Sequence, residues 1–388
     1  MSISDSGLVP FNRPYASSGA FRSVLSALGS EKHSGDGPWT AKVSQELEGL
    51  VNGSRVLLTP SGTDALELAC MTVGVEPGDE VIVPSFTFSS VATAPLRQGA
   101  LLRFSDVEPD TLGLSVRTVE PLLSDRTKAI VAVHYAGQAS ELEHLRSLCA
   151  RRSIFLIEDA AHALGAALND RPLGTFGHLG CLSFHETKNL SCGEGGALII
   201  NDPSLTQKAE IIREKGTNRS SFFRGMVDKY TWVSPGSSFL LSDLLAAVLM
   251  ANLEDWHETQ ATRRHAWQRY QSELAPFCER HGFRTPPTLK LHQNPWHMFY
   301  LLAPNEGKRD SLLEHCKKND VLAVFHYQSL SQTPYGQALD GQKSPTPISD
   351  STADRLLRLP LFSSITTVEI DKVIATLNSW DGAPITEL

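Results

Sequence analysis

AIVAVHYAGQASELEHLRSLCARRSIFLIED, residues 129 to 159, sets two apolar runs, AIVAVH (129–134) and IFLIED (154–159), on either side of a segment with leucines at 142, 145 and 148. That leucine spacing is the stripe of an amphipathic helix. The short unbroken runs beside it suit strands buried on both faces. A right-handed crossover would carry the helix between two parallel strands. Runs of the same kind recur outward from this unit, from about Val56 to Asp202, at VIVP (81–84), LLRF (101–104), CLSF (181–184) and ALII (197–200). The alternation predicts an α/β fold, a large and mostly parallel sheet with helices on both faces.

Further on, a long helical pattern runs from Ser242 to about Leu274, with Ser242 and Asp243 as start signals. Beyond it lie strand-like MFYLLA (298–303) and VLAVF (321–325), then a final helix from about Thr367. This predicts a smaller C-terminal α+β domain. A chain of 388 residues exceeds the usual single-domain size, and the expected division is 1–255 for the large domain and 256–388 for the small one.

Composition excludes several classes. Hydrophobic residues make up 41% and charged residues 20%, an ordinary globular balance. The net charge of −8 and the lack of any basic run longer than the pairs Arg151-Arg152 and Arg263-Arg264 argue against a nucleic-acid partner. The most apolar helix candidate, Leu244 to Leu253, is too short for a membrane span of roughly 20 residues. MSISDSGLVPFNRP at the start has neither a basic head nor an apolar stretch, so the expected location is cytoplasmic. Six scattered cysteines without a C-x-x-C pair speak against a zinc site and against a disulfide framework.

In an open α/β sheet the ligand lies beyond the carboxyl ends of the strands, which directs attention to three places. Asp159 ends the run IFLIED, either as a helix cap or as a carboxylate presented to a site. SGTDALELA (61–69) opens a helix, where its N–H groups and the Thr63 hydroxyl serve as a simple cap or cradle a phosphate. In SFHETKNLSCGEGGAL (183–198), Lys188 stands between a strand and a glycine-rich turn. It is either a solvated loop lysine or a buried amine of lowered pKa, nucleophilic toward carbonyls. Together the three supply a phosphate cradle, a carboxylate and an amine. Pyridoxal 5′-phosphate needs all three, for its phosphate, its pyridinium nitrogen and its aldehyde.

Residues 8 to 388 resemble the DegT/DnrJ/EryC1/StrS family of sugar aminotransferases, of pyridoxal-phosphate fold type I, with a seven-stranded type of sheet. The resemblance is carried by SGTDALELA, GDEVIVPSFTFSSVATA, EDAAHALGA, LSFHETKNLSCGEGGAL and HMFYLL. Within the family, FHETKN (184–189) and REKGTNRSSFFRGMVDKYTW (213–232) are most similar to the dTDP-4-amino-4,6-dideoxygalactose transaminases. The resemblance implies L-glutamate as amino donor and dTDP-4-keto-6-deoxy-D-glucose as acceptor, in the making of an antibiotic or cell-surface amino sugar. It further implies Lys188 as the lysine that bonds the cofactor's aldehyde and Asp159 as the partner of its ring nitrogen. Phe88 takes the place of the aromatic ring stacked on the cofactor, with a core phenylalanine as the alternative. Gly62, Thr63 and Ser183 match phosphate-binding positions. His162 falls where a side chain nears the phenolic oxygen, or is a buried structural histidine.

Two stretches depart from the family. Where many members carry G-x-N-Y-R, reaching the neighbouring subunit's phosphate across a homodimer with shared sites, this chain reads GSSFLLSD, with Ser238 at the asparagine position. The usual H-Y-x-P-L-H reads HYQSLSQ (326–332), with Ser331 where histidine is common. Two other readings of the same fold, a non-catalytic regulator and a sugar 3-dehydratase, are disfavoured by Lys188, since the first needs no lysine there and the second has histidine.

Overall fold

The computed structural model describes residues 7–289, 292–339 and 344–382. The first nine strands are β1 (Arg55–Thr59), β2 (Glu80–Pro84), β3 (Leu101–Ser105), β4 (Thr127–Val133), β5 (Phe155–Asp159), β6 (Ala167–Leu168), β7 (Arg171–Pro172), β8 (Leu179–Ser183) and β9 (Gly196–Ile200). Seven of them form the main sheet in the order β1-β9-β8-β5-β4-β2-β3. Only β9 runs antiparallel to its neighbours β1 and β8; the other pairings are parallel. The expected mostly parallel α/β sheet is therefore present, and every expected apolar run within it is a strand.

Each strand divides its side chains between two cores. In β4, Ile130 and Ala132 enter one cluster while Ala129, Val131 and Val133 enter the other, as the two-residue period of a strand requires. The helix Gly62–Val73 covers the second face with Leu66, Ala69 and Val73. The helices Pro38–Leu50, Leu142–Arg152 and Asp243–Glu254 cover the first, and the expected stripe of Leu142, Leu145 and Leu148 lies wholly within that core.

Toward the C-terminus, β10 (His292–Gln293) pairs with β6, and β11 (Phe299–Leu302), β12 (Val324–Phe325) and β13 (Leu356–Leu359) make a small antiparallel sheet with β13 in the middle. Trp267, Tyr270, Phe299, Leu357, Val373 and Leu377 gather into its core, joined by Val9 from the other end of the chain. The final helix, Thr367–Asn378, opens with a capping box between Thr366 and Glu369.

Two expectations need correction. The single helix from Ser242 to Leu274 is two helices, Asp243–Glu254 and Trp256–Glu273, broken at Asp255 with φ −90 and ψ 8. Tyr15 donates to the Asp255 carboxylate at 2.7 Å, so a contact from the far end of the sequence fixes the break. Of the run VLAVF only Val324–Phe325 is strand, because Val321 instead bridges to Val9. Among the described residues no helix is long and apolar enough to cross a membrane.

The main sheet meets the helix Gly62–Val73 without clearance. A Cβ on Gly196 would lie 2.3 Å from the Ser61 carbonyl oxygen and 2.6 Å from the Gly62 nitrogen, both backbone atoms that cannot rotate away. Gly196→Ala should therefore cost about 1–3 kcal/mol through overpacking and push the helix start off the sheet. Thermal denaturation should show a melting point lowered by several degrees; an unchanged one would mean that the helix end moves freely.

Candidate active site

The pleat of β5 separates two neighbouring carboxylates. Glu158 turns into the core, where the N–H groups of Gly174 (2.9 Å) and Gly177 (2.5 Å) and Nε2 of His134 (2.8 Å) all donate to it. Asp159 points the other way, at the strand's carboxyl end, and lines a cavity of about 600 Å³. Its Oδ1 accepts one hydrogen bond, from Ala161 N–H at 3.0 Å, in a turn rather than at the start of a helix. Burial raises its pKa, opposed by that N–H, by the charge of Lys188 and by His134.

Lys188 follows β8 in a turn closed by its own N–H donating to His185 O at 2.9 Å. The residue as a whole is only partly covered, opening onto the cavity, yet its amine is desolvated. Burial brings the pKa down from the ordinary 10.5 to about 8, Asp159 holding it up and Arg358 pressing it lower. Such an amine is a base and nucleophile near neutral pH.

At the opposite side of the cavity the helix Gly62–Val73 begins. Ser61 is its cap: its Oγ accepts from Asp64 N–H at 3.0 Å and donates to Asp64 Oδ2 at 2.9 Å. The first-turn N–H groups of a helix have no partner within it, and its dipole favours an anion there. Thr63 shares a hydrogen bond with Ser90 at 2.7 Å, and Gly62 sits so close to Ser183 that a Cβ would stand 2.8 Å from that residue's Cβ.

Gly62, Thr63, Phe88, Asp159, His162, Ser183 and Lys188 all line this one cavity. Phe88 is 56% exposed at its rim, 5.9 Å from the ring of Tyr327, which rules out the core alternative; Phe86 is the core phenylalanine. His162 is buried, stacked on His297 at 4.6 Å, and shares a 3.4 Å hydrogen bond with the Tyr327 hydroxyl. Its Nδ1 has no partner. Ser238 does not line the cavity of its own chain: it is exposed and bridges to Glu214. Ser331 likewise lies outside the lining, tied to Ser85 and Thr346 at 2.9 Å each.

Sequence reading missed Arg358, Tyr327, His297 and His326 as residues of the site, although all four line the cavity. The available signals were the charge of Arg358 inside the apolar run LLRLPL and the family-like stretches HMFYLL, which opens on His297, and HYQSLSQ, which opens on His326 and Tyr327. His326 donates from Nδ1 to the Tyr135 oxygen at 2.9 Å, since its Nε2 accepts from Arg358 at 3.3 Å. His162, His297 and His326 all titrate well below the ordinary histidine value, chiefly through burial. The three rings are therefore neutral, and the desolvated cations of the lining are Lys188, when protonated, and Arg358.

A desolvated amine, a carboxylate facing it and an anion-seeking helix start, set at the carboxyl ends of a mostly parallel sheet, fit an aldehyde-bearing pyridine with a phosphate arm. The unpartnered His162 Nδ1 leaves a polar contact for the same group. Fold and site together are those of a pyridoxal-phosphate-dependent aminotransferase of fold type I. Residues 16–378 match the DegT/DnrJ/EryC1/StrS aminotransferase family. The chain belongs to this family, whose members are sugar aminotransferases that bind pyridoxal phosphate.

Solved structures agree. The aminotransferase TlmJ from Streptoalloteichus hindustanus superposes with a TM-score of 0.87 at 26% identity, covering 96% of this chain and 98% of that one. A DegT DnrJ EryC1 StrS aminotransferase from Brucella abortus gives 0.83 at 27% identity over 92% and 94%. DesV of S. venezuelae, solved with a ketimine intermediate, gives 0.86 at 26% identity over 98% and 100%.

The state of Lys188 can be read chemically. In protein freed of cofactor, trace acetic anhydride should label Lys188 at a rate that climbs with pH and levels off above about 8, because only the neutral amine reacts. Asp159→Asn should move that midpoint down, since the carboxylate supports the ammonium form. Peptide mass spectrometry measures both; a midpoint near the ordinary 10.5 would mean that the amine is solvated.

Proposed function

We propose that this protein moves an amino group from L-glutamate to C4 of dTDP-4-keto-6-deoxy-D-glucose, giving a dTDP-4-amino-4,6-dideoxyhexose of galacto or gluco configuration. The observation that carries the reading is the desolvated Lys188 amine, titrating at about 8, in one cavity with Asp159. The choice of acceptor is supported by the resemblance of residues 184–189 and 213–232 to the dideoxygalactose transaminases. A hollow of about 420 Å³ adjoins the cavity across Phe88 and Tyr327, walled by Phe325, Tyr335 and Leu339. Its aromatic wall suits the thymine end of a nucleotide sugar.

When bound, pyridoxal phosphate supplies an electron sink next to the reacting carbon. The first turn of Gly62–Val73, with Thr63 and Ser183, would hold the phosphate; Asp159 would keep a proton on the ring nitrogen, His162 would offer a contact to the phenolic oxygen, and Phe88 would pack against the ring. Lys188 Nζ takes the proton from the α-carbon of glutamate in one half of the cycle and delivers one to C4 of the sugar in the other. An amine titrating near the working pH both takes and gives a proton readily. We further assign the enzyme to the cytoplasm, divide the chain at Asp255 into residues 1–255 and 256–388, and infer a homodimer in which the Ser238 segment of one subunit approaches the partner's cofactor phosphate.

Incubation with glutamate and dTDP-4-keto-6-deoxy-D-glucose, followed by NMR of the sugar, tests the reaction and reads the configuration at C4. An unchanged keto-sugar, or amination at another carbon, overturns the assignment. Lys188→Ala should lose both transamination and the yellow colour of the loaded enzyme. Asp159→Asn should still bind cofactor but turn over orders of magnitude more slowly, because a neutral amide does not hold the ring nitrogen protonated.

Sharing of the site is tested by mixing. Ser238→Asp sets a carboxylate beside a phosphate and should weaken cofactor binding. Combined with Lys188→Ala under subunit exchange, it should recover up to roughly a quarter of wild-type activity, since one site of each heterodimer is intact. Heterodimers detected by mass spectrometry without recovered activity would overturn the shared site.

A further inference from the structure

Three histidine rings stand in the cavity wall, and they differ in what their nitrogens have left to offer. Both nitrogens of His326 are taken, by Tyr135 and by Arg358. His162 meets the Tyr327 hydroxyl through Nε2, and its Nδ1 is closed off from solvent. His297 is different. Its Nδ1 lies 2.7 Å from Asn189 Oδ1, whereas among the described residues no hydrogen bond reaches its Nε2, and that nitrogen is not sealed from solvent.

The neighbours of His297 settle where its proton sits. Asn189 is buried, and its side-chain NH2 donates to Pro295 O at 2.6 Å; a carbonyl oxygen only accepts, so the amide has one possible orientation. Asn189 Oδ1 therefore accepts from His297, whose proton is on Nδ1. Burial keeps the ring neutral, with the charges of Lys188, Arg263, Arg358 and His326 acting in the same direction. A neutral imidazole protonated at Nδ1 carries a bare lone pair at Nε2. The ring is held from turning that lone pair away: one face stacks on His162 at 4.6 Å, and Arg263 donates to the His297 carbonyl oxygen. His297 lines the same cavity as Lys188, the residue next to Asn189 in the chain. One turn thus places the amine and orients the lone pair.

We propose that His297 Nε2 accepts a hydrogen bond from the keto-sugar, from the hydroxyl on the carbon beside the reacting carbonyl, and so selects sugars that carry it. The inference rests on the reading of this protein as an aminotransferase of a 4-keto-6-deoxy sugar. A lone pair calls for a donor. Glutamate offers two carboxylates, which only accept, and an amine that is itself the reacting group. The keto-sugar brings hydroxyls instead. Lys188 has to reach C4, and the C3 hydroxyl enters the same part of the cavity with it, while C5 on the other side carries no hydroxyl. A buried acceptor left without a donor is costly, so a sugar lacking that hydroxyl is disfavoured although its carbonyl is unchanged.

Nitrogen NMR of cofactor-free protein labelled in histidine should show His297 as the neutral Nδ1–H form; a proton on Nε2 overturns the proposal. In stopped-flow absorbance at low sugar concentration, the aminated enzyme should react about tenfold or more slowly with dTDP-4-keto-3,6-dideoxy-D-glucose, which lacks only the C3 hydroxyl, than with the parent sugar. His297→Phe keeps a ring without the lone pair. It should lose about the same factor with the parent sugar and little more with the deoxy sugar, because the contact is already gone. His297→Gln, which returns an acceptor, should recover part of the loss. The reaction of the loaded enzyme with glutamate should stay within about twofold in both variants, compared where cofactor absorbance and melting point match wild type. If the phenylalanine variant does not fold, the tautomer and the wild-type preference between the two sugars decide. Equal use of both sugars by wild type, additive losses from His297→Phe and from the missing hydroxyl, or an equal loss with glutamate each overturns the proposal. A wild-type enzyme that aminates another carbon overturns the reading of the substrate, and the same comparison, made with the hydroxyl beside that carbon, then decides the role of His297.

Discussion

Everything at the floor of the cavity depends on the register of one strand. In β5 the pleat sends Glu158 inward and Asp159 outward, and each is useful only on its own side. Glu158 is fully buried and takes three donors, from Gly174, Gly177 and His134. A slip of one residue would carry Asp159 into that nest and leave Glu158 over the cavity. The buried carboxylate thus acts as a lock on the strand, and its cost of desolvation is offset by the donors gathered around it. His134 belongs to both sides: its ring serves Glu158, and its backbone N–H donates to the Asp159 carbonyl at 3.1 Å.

With the register fixed, the electrostatics follow. Asp159 and Lys188 face one another across space that water leaves when a ligand enters, so each sets the other's charge state. The three histidines in the wall stay neutral through burial and add polarity without adding charge. The Tyr327 hydroxyl, held un-ionised by burial, links this wall to His162. His297, His326, Tyr327 and Arg358 come from the small-sheet half of the chain, while His162 and the floor come from the large-sheet half, so both halves build the cavity.

This division also explains what the sequence reveals. Asp159, Lys188 and the Gly62-Thr63 turn each lie directly after an apolar run, so strand ends and site residues are read together. The main-sheet strands are legible because burial on both faces makes them unbroken apolar runs. Arg358 is harder to read: LLRL has the same form as LLRF (101–104), but as the central strand of the small antiparallel sheet it lies outside the strand and helix alternation that picks out the main sheet. Asp255 and Val321 mislead for a different reason, since the partners that break the helix and divert the strand are Tyr15 and Val9, hundreds of residues away. Tyr327, His297 and His326 come into the site through tertiary packing, their mark in the sequence being the family-like stretches HYQSLSQ and HMFYLL. For Ser238, exposed and remote from its own chain's cavity, no local pattern decides what it faces.

The segment from Leu8 to Ser17 binds the chain to residues made long after it. Val9 pairs with Val321, Phe11 covers Arg358, Arg13 meets Glu369 at 2.5 Å and Tyr15 meets Asp255. On a ribosome adding roughly 5–20 residues per second, this stretch emerges tens of seconds before its partners exist. The large sheet can be completed at Ile200 while those first residues are still waiting. Their docking is therefore a closing event in synthesis, a strap fastened only when the last helix has been made, and the cover over Arg358 arrives with it.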